Sequence, residues 1–375
     1  MQYECVLFKS PDPEDPFGDL EKLGPLTGVT QQTCTVTRNR AGSASFVLRT
    51  NSDSAKEILD RVDLNDVRGT VRKCIKVRRT DSKGNKKTIW SGPIWGIQGS
   101  LDQGTMTVSC VGWLESLVKK ILYSTQDFSN KGYGTPADEI AFALMRVING
   151  QYLSRANIPD APLWVKEGSV FGGPLLPRNR YYTIGQQLGD ALQNMSDVEA
   201  GYDYMVDPDT RELNLYNWNY YSTREDVIFG YRKGPDNLKT FSWTEDASQT
   251  CNSMIVISQG APVGPIYDAD SQRDYGVFEE YNTLSGAQQT ILAAYAGAEL
   301  AIRSVPLLTY SVAPYSNSSP KIFEDYDIGD AAYLSAEKDY FKLERQKIRI
   351  FGATLNFDDN GNEQVSSLAF SPTGD

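Results

Sequence analysis

Two serines precede a lysine by one helical turn, in Ser116-Leu117-Val118-Lys119 and in Ser335-Ala336-Glu337-Lys338. This is the spacing with which a lysine activates a serine nucleophile in penicillin-recognising enzymes. Neither pair is accompanied by the companion motifs of that chemistry, so both read as ordinary exposed faces. Asp325, Asp327 and Asp330, and separately Asp358, Asp359 and Glu363, bring together carboxylates of the kind that ligate calcium. Neither group has EF-hand spacing, and both fall at strand boundaries, where Asp, Asn and Gly serve as turn residues. The expectation is therefore no bound metal and no cofactor. Gly132-Tyr133-Gly134 precedes a helix but lacks the lysine of a phosphate-binding loop.

The chain contains no histidine. That removes Ser-His-Asp and Cys-His nucleophiles, histidine-ligated zinc or iron, and the side chain best suited to proton transfer near neutrality. A two-carboxylate glycosidase remains open, because spacing in sequence does not fix separation in space. The expectation is a protein that is not an enzyme.

With 375 residues the chain is too long for one ordinary core. An apolar fraction of 40% and a charged fraction of 23% are those of a folded globular protein. The net charge of −11 disfavours a general nucleic-acid binder. Five cysteines without close pairs fit neither a disulfide framework nor a zinc knuckle. The N-terminus has no basic start or apolar stretch of signal-peptide length. The longest apolar helical run, 291–302, is too short to span a membrane and contains Glu299.

Charge is unevenly distributed. Between Thr70 and Lys87 eight Lys/Arg stand against one Asp, a local balance of +7 that leaves −18 elsewhere. Val71, Ile75 and Val77 alternate with Arg72, Lys76 and Arg78, which predicts a strand with one apolar and one cationic face. The turn Lys83-Gly84-Asn85-Lys86 follows. Two readings are open: a solvated edge strand protected by its charges, or a docking surface for an acidic neighbour, which could be another copy of this chain. Arg72, Lys76, Arg78, Lys83, Lys86 and Lys87 are the candidate interface residues.

The elements that would position these groups fall into three parts: a first β domain over 1–122, a helix-containing α+β domain over 123–230, and a second β domain over 231–375. The first part ends in strands at 89–98 and 106–113, joined at Asp102-Gln103-Gly104. Trp90, Trp95 and Trp113 are expected as anchors, and Gly92, Gly96 and Gly112 as points where the wall bends. The middle part has helices expected to start at Thr135-Pro136 and at Thr183, the latter burying Ile184, Leu188, Leu192 and Met195, with a long loop over 154–180 and a hairpin turning at 207–210. The last part has a long loop over 259–283 and a helix over 284–305 burying Leu284, Ala287, Ile291, Tyr295, Ala298, Ile302 and Val305. It closes with strands at 340–357 and 364–370.

In SASFVLRT, WSGPIWGIQGS, MTVSCVGWLESLVKK and FEDYDIGDAAYL…RQKIRIFGATLNFDDNGNEQ, the chain resembles the tail-tip (baseplate) hub proteins of long-tailed bacteriophages, labelled minor tail proteins in phages of actinobacteria. The resemblance implies a mainly β fold with α+β parts, consisting of two tail-tube-like β-barrel or sandwich domains and a helix-containing middle domain. It implies a homotrimer that places six barrels in a ring, between a distal tail or tail-tube protein and other tail-tip proteins. Tape-measure protein and then DNA would pass as cargo through the lumen. The implied location is the virion tail tip after synthesis in the host cytoplasm, with no membrane insertion by this chain. The aromatic content, 21 Tyr and 6 Trp, keeps a tail adhesin or cell-wall-glycan-binding protein as the alternative. A carboxylate-dependent peptidoglycan hydrolase is the second.

Overall fold

The computed structural model describes residues 2–9, 18–59, 73–128, 134–153, 165–198, 200–258, 261–283, 289–316, 318–357 and 363–372. The N-terminal strands are β1 (Gln2–Lys9), β2 (Lys22–Pro25), β3 (Val29–Thr37), β4 (Ser43–Arg49), β5 (Lys73–Thr80), β6 (Lys86–Ser100) and β7 (Thr105–Val111). Alternation decides which face each strand buries. In β4, Ala44, Phe46 and Leu48 are inside while Ser43 and Arg49 are exposed. β1 carries the unbroken apolar run Cys5-Val6-Leu7-Phe8 and is accordingly covered on both sides. Cys5 and Leu7 face the core of the β-rich ends, and Val6 and Phe8 face the core of the middle part.

β6 turns a corner. Its first half, to Pro93, pairs with β5, and its second half, from Ile94, pairs with β7. Gly92 sits at the corner, where a Cβ would lie 1.8 Å from the Val111 carbonyl oxygen, so no side chain fits. Gly112 N donates to Gly42 O at 2.7 Å in the same close approach. Gly96 meets nothing nearer than 4.0 Å, so the bend does not require it. At the other end of the chain, Phe341–Phe357 does the same: its first half pairs with Ala331–Lys338, and Gly352 to Phe357 pairs with β3.

This last ladder joins the two β-rich ends into one sheet of thirteen strands. Their core is shared, with Phe46, Ile75 and Ile94 from one end packing in the same cluster as Phe229, Ile350 and Phe370 from the other. Each such side chain contributes about 1.5–3 kcal/mol by leaving water. Trp90 lies in this core, whereas Trp113 belongs to the middle core and Trp95 is 42% exposed under the Lys119 ammonium. The three tryptophans are therefore not joint anchors of one barrel.

The middle part is built on helices Ala137–Leu153 and Leu188–Ser196 and the hairpin Tyr202–Val206 with Glu212–Asn217. Lys166–Phe171, inside the expected loop, is a strand parallel to Glu212–Asn217. Thr135 and Pro136 pair with Pro177 and Arg178 before the helix begins. The second helix starts five residues after Thr183, because Gly185 (φ 88°) donates to Leu122 O and Gln186 O accepts from Leu122, holding this segment alongside 120–122. Ile184 is exposed as a result.

Two features depart from the three-part division. Thr223–Tyr231 pairs in parallel with Ala331–Lys338 and so belongs to the large sheet. The described residues between 247 and 306 form a separate lobe between two strands, Leu238–Asp246 and Leu307–Pro314, that pair with each other. The expected loop over 259–283 supplies two of this lobe's strands, Ala261–Tyr267 and Glu279–Thr283, flanking Ser253–Ser258. It also supplies a helix, Ala269–Tyr275, capped by the Asp268 carboxylate. The long helix is Gln289–Arg303, with Leu292, Ala296 and Leu300 buried. Of the expected stripe, Tyr295 packs at the margin and Val305 is exposed, while Leu284 and Ala287 lie outside the described residues. Alanines on several sides of this helix make its apolar face ambiguous, and packing against Met254 and Val256 selects one.

The corner geometry predicts that Gly92→Val destabilises the protein by at least about 3 kcal/mol through overpacking against the Val111 backbone. Gly96→Ala is expected to melt within about 2 °C of the parent. Thermal unfolding followed by circular dichroism checks both, and equal melting temperatures would refute the corner.

Candidate functional site

The basic hairpin is an interior element. β5 is paired on both sides, by β1 and by β6, so it is not an edge. Its two faces meet two different cores, with Ile75 and Val77 in one and Cys74 in the other. The cationic face is covered by the middle part of the same chain. Lys76, 9% exposed at its side chain, places Nζ 3.2 Å from Asp209 Oδ1 and 3.2 Å from the Asp209 carbonyl. Thr88 Oγ1 donates to the same carboxylate at 2.7 Å. Ser91 Oγ donates to Pro208 O and accepts from Trp113 Nε1 at 2.7 Å. The 207–210 turn is thus clamped on β5 and β6. Its shape is set by Asp207, whose Oδ1 accepts from the backbone of Asp209 and Thr210.

The remaining candidates divide by depth. Arg78 is half-buried with its guanidinium 5.7 Å from the Phe8 ring. Lys86 pairs with Glu4 at 3.6 Å and Lys87 with Asp327 at 3.0 Å, both exposed pairs of small energetic weight. Lys83 is exposed at the hairpin tip, and Arg72 lies outside the described residues. Arg79, which the sequence reading left out, is the most deeply buried charge of the group. It pairs with Glu324 at 3.1 Å and Glu363 at 3.2 Å, and donates to Tyr3 Oη, itself a donor to Glu363. Burial, reinforced by the Glu363 charge, pushes the Tyr3 hydroxyl far above its ordinary pKa, so it stays a neutral donor.

A second cluster ties the end of β3 to both other parts. Arg38 Nε and Nη2 donate to Ile328 O at 3.1 and 2.7 Å, and its guanidinium lies 4.1 Å from the Tyr216 ring. Asn39, in the left-handed region at φ 57°, donates to Asp203 at 2.8 Å and accepts from Tyr204 N at 2.8 Å. Arg349 reaches the other Asp203 oxygen. Nothing in the local pattern around Asn39 marks it beyond its tolerance of positive φ.

The chemical motifs are occupied by structural contacts. Ser116 Oγ donates to Trp113 O at 2.7 Å, and Lys119 pairs with Glu115 at 2.8 Å. Ser335 is buried on a strand and Lys338 is exposed. Asp325 and Asp330 accept from the backbone of Lys321 and Asp327, and Asp327 holds Lys87. Asp358 and Asp359 fall outside the described residues. Among the described residues no three acidic, Cys or His side chains gather as a metal site. All five cysteines are buried and free, and burial lifts the Cys5 and Cys74 thiols to about 12, away from reactivity.

Burial alone would raise the Asp209 pKa, but the Thr88 hydroxyl and the Lys76 ammonium outweigh it and hold the carboxylate below its ordinary value. Its contribution to stability is therefore fully present above the unfolded carboxylate pKa of about 3.9 and lost as pH falls through the lower folded value. Lys76→Met with Asp209→Asn in a double-mutant cycle should give a coupling of about 1–2 kcal/mol at pH 7 by denaturant unfolding. That coupling should shrink as pH falls below the unfolded carboxylate value of about 3.9 and through the lower folded one, and zero coupling at pH 7 would show that the clamp contributes nothing.

No family model matches the sequence, and no curated protein matches it either. Solved structures do match. A tail protein from Neisseria meningitidis MC58 aligns with a TM-score of 0.60 at 10% identity, covering 100% of this chain and 98% of that one. The 43 kDa tail protein of prophage MuSo2 from Shewanella oneidensis aligns at 0.56 with 14% identity and 97% of both chains. Prophage tail protein gp18 from Listeria monocytogenes EGD-e aligns at 0.55 with 10% identity, covering 99% and 94%. The chain has the fold of these tail proteins along essentially its whole length.

Proposed function

We propose that this chain is a structural, non-catalytic component of a phage tail tip, assembled as a homotrimer around a channel. The observation that supports this most is the end-to-end likeness to the Neisseria tail protein, which extends over 98% of that chain. In this reading each subunit contributes two β-rich ends to a ring wall. Three subunits supply six, which fits a six-fold tail tube on one side and a three-fold tip on the other. The distal tail or tail-tube protein and other tip proteins are its axial neighbours. Tape-measure protein and DNA are cargo, and a net charge of −11 favours passage of DNA over its retention.

The 247–306 lobe offers the subunit contact. Its small sheet is covered by helix Gln289–Arg303 on the face of Met254 and Val256. On the other face Ile255 pairs with Tyr281, which is 72% exposed. Nearby chain segments expose Val277 at 62%, Val305 at 51% and Leu307 at 60%. Exposed apolar side chains of this kind fit an interaction surface, and the ring reading assigns the lobe's outer sheet face to the adjacent copy.

Mass photometry is expected to show a species of about 125 kDa, three times 41.7 kDa. Tyr281→Glu should shift the population to folded monomer. A monomeric parent protein that clears cell walls in a zymogram would overturn the structural reading in favour of a hydrolase.

A further inference from the structure

The two β-rich ends repeat one another strand by strand. In the first, β3 pairs with β4, β4 with β7, β7 with the second half of β6, and the first half of β6 with β5. In the second, Leu238–Asp246 pairs with Leu307–Pro314, that strand with Glu363–Pro372, and that one with Phe341–Phe357, whose first half pairs with Ala331–Lys338. All of these ladders are antiparallel, and their irregularities fall at matching places. β6 slips against β7 between Ile94 and Gly96, and Phe341–Phe357 slips against its neighbour between Ile350 and Gly352, which sets Ile94-Trp95-Gly96 against Ile350-Phe351-Gly352. β3 slips between Val29 and Gln31, and Leu238–Asp246 between Leu238 and Thr240. The outermost strands differ, β1 being antiparallel to β5 and Thr223–Tyr231 parallel to Ala331–Lys338.

One ladder is made only once. Gly352–Phe357 pairs with β3, and by the repeat its counterpart would join 96–101 to Leu238–Asp246. Within one chain that ladder is absent. Leu238–Asp246 ends the path of the large sheet, and the second half of β6 is paired by β7 on one side alone, so among the described residues both edges are open. Exposure follows the difference. Cys34 of β3 is fully buried while its counterpart Trp243 is 48% exposed, and Phe357 is 5% exposed while its counterpart Leu101 is 91% exposed. Neither 240–244 nor 96–101 contains a charged residue. Edge strands of this length are ordinarily guarded by charge or proline, and an unguarded one is a template for pairing with another chain.

We propose that the ladder between β3 and Gly352–Phe357 is repeated between copies, with Leu238–Asp246 of one copy adding antiparallel to 96–101 of the next. This rests on the ring reading above and names the strands that close it. The matched registers fix the pairing: Gln98 stands opposite Thr244 of the next copy, Gly99 opposite Trp243 and Ser100 opposite Ser242. The first pair corresponds to Thr354 and Thr35, whose hydroxyls lie 3.2 Å apart, and the last to Asn356 and Thr33, hydrogen-bonded at 3.0 Å. A Cβ on Gly99 would meet nothing within 4 Å, which leaves room for the Trp243 indole to lie over the glycine of the facing strand. The contact is head to tail, so each copy offers one edge and receives on the other, and a fixed rotation between copies closes a ring.

The test is site-specific cross-linking of the full-length protein. Gln98→Cys and Thr244→Cys, both at exposed positions, are co-expressed as separate chains carrying different tags and oxidised mildly; the five native cysteines are buried. A reducible covalent dimer joining the two tags is expected, and none from Gln98→Cys with Tyr340→Cys, a pair the register keeps apart. Charge supplies a second readout. Gln98→Lys with Thr244→Lys in one chain sets like charges opposite each other at every contact and should weaken assembly, measured by mass photometry, at least about tenfold relative to Gln98→Lys with Thr244→Glu. A trimer that forms without the cross-link, or that forms equally well in both charge variants, overturns this pairing and leaves the trimer reading standing. A parent protein that stays monomeric and yields no cross-link overturns both.

Discussion

The antiparallel ladder between β3 and Gly352–Phe357 pairs six residues with partners more than 300 positions away, and the rest of the architecture depends on it. Its side chains reinforce the register: Thr33 Oγ1 donates to Asn356 Oδ1 at 3.0 Å, and Thr35 and Thr354 hydroxyls lie 3.2 Å apart. Beside it, the Tyr3 and Phe357 rings pack at 4.1 Å, and Arg79 joins Tyr3 to Glu363. Without this ladder each β-rich end would present an open edge. With it, a chain of distinct parts shares one sheet and one core. The loop-closure entropy of so distant a pairing grows only logarithmically with separation, so a short, well-packed ladder suffices.

The same logic governs charge. An acidic chain places eight of its 37 Lys/Arg in one stretch, 70–87, and buries several of them against its own carboxylates: Lys76 on Asp209, Lys73 on Glu57, Arg79 on Glu324 and Glu363. Such pairs add modest net stability because desolvation offsets attraction, but losing one partner leaves an uncompensated charge and is costly. The Lys76–Asp209 pair therefore holds the middle part on the β wall, and the Arg79 pairs tie the two β-rich ends to each other. Arg38 departs from this pattern: among the described residues it forms no ion pair, and its guanidinium donates to the Ile328 carbonyl and lies over the Tyr216 ring.

Where one face of a strand is buried, the sequence is transparent: β4, β7 and the closing strands at 341–357 and 363–372 follow from period-two alternation and turn residues. The corner at Gly92 was legible as a glycine in a strand, and the structure supplies the Val111 carbonyl that requires it. Gly96 carries the same local signal without the requirement, so the signal alone could not separate them. The strands at 261–267 and 279–283 escaped because they are exposed and lack alternation, and the capping pattern at Thr183 lost to tertiary hydrogen bonds with Leu122. The basic hairpin's cationic residues were readable, while the sequence left open whether they stood on a solvated edge or faced an acidic neighbour. That the neighbour includes Asp209, over a hundred residues downstream, was not readable, because only the fold brings that turn to β5. Asn39 gave no warning for the same reason.

The proposed tail-tip role asks copies of this subunit to assemble side by side, β wall against β wall. Electron cryomicroscopy of intact virions tests this most directly. It should show three copies surrounding the tail-tip channel, their β-rich ends forming the wall and the 247–306 lobes touching adjacent copies. Absence of the chain from the particle, or its placement as a peripheral fibre away from the channel, would contradict it.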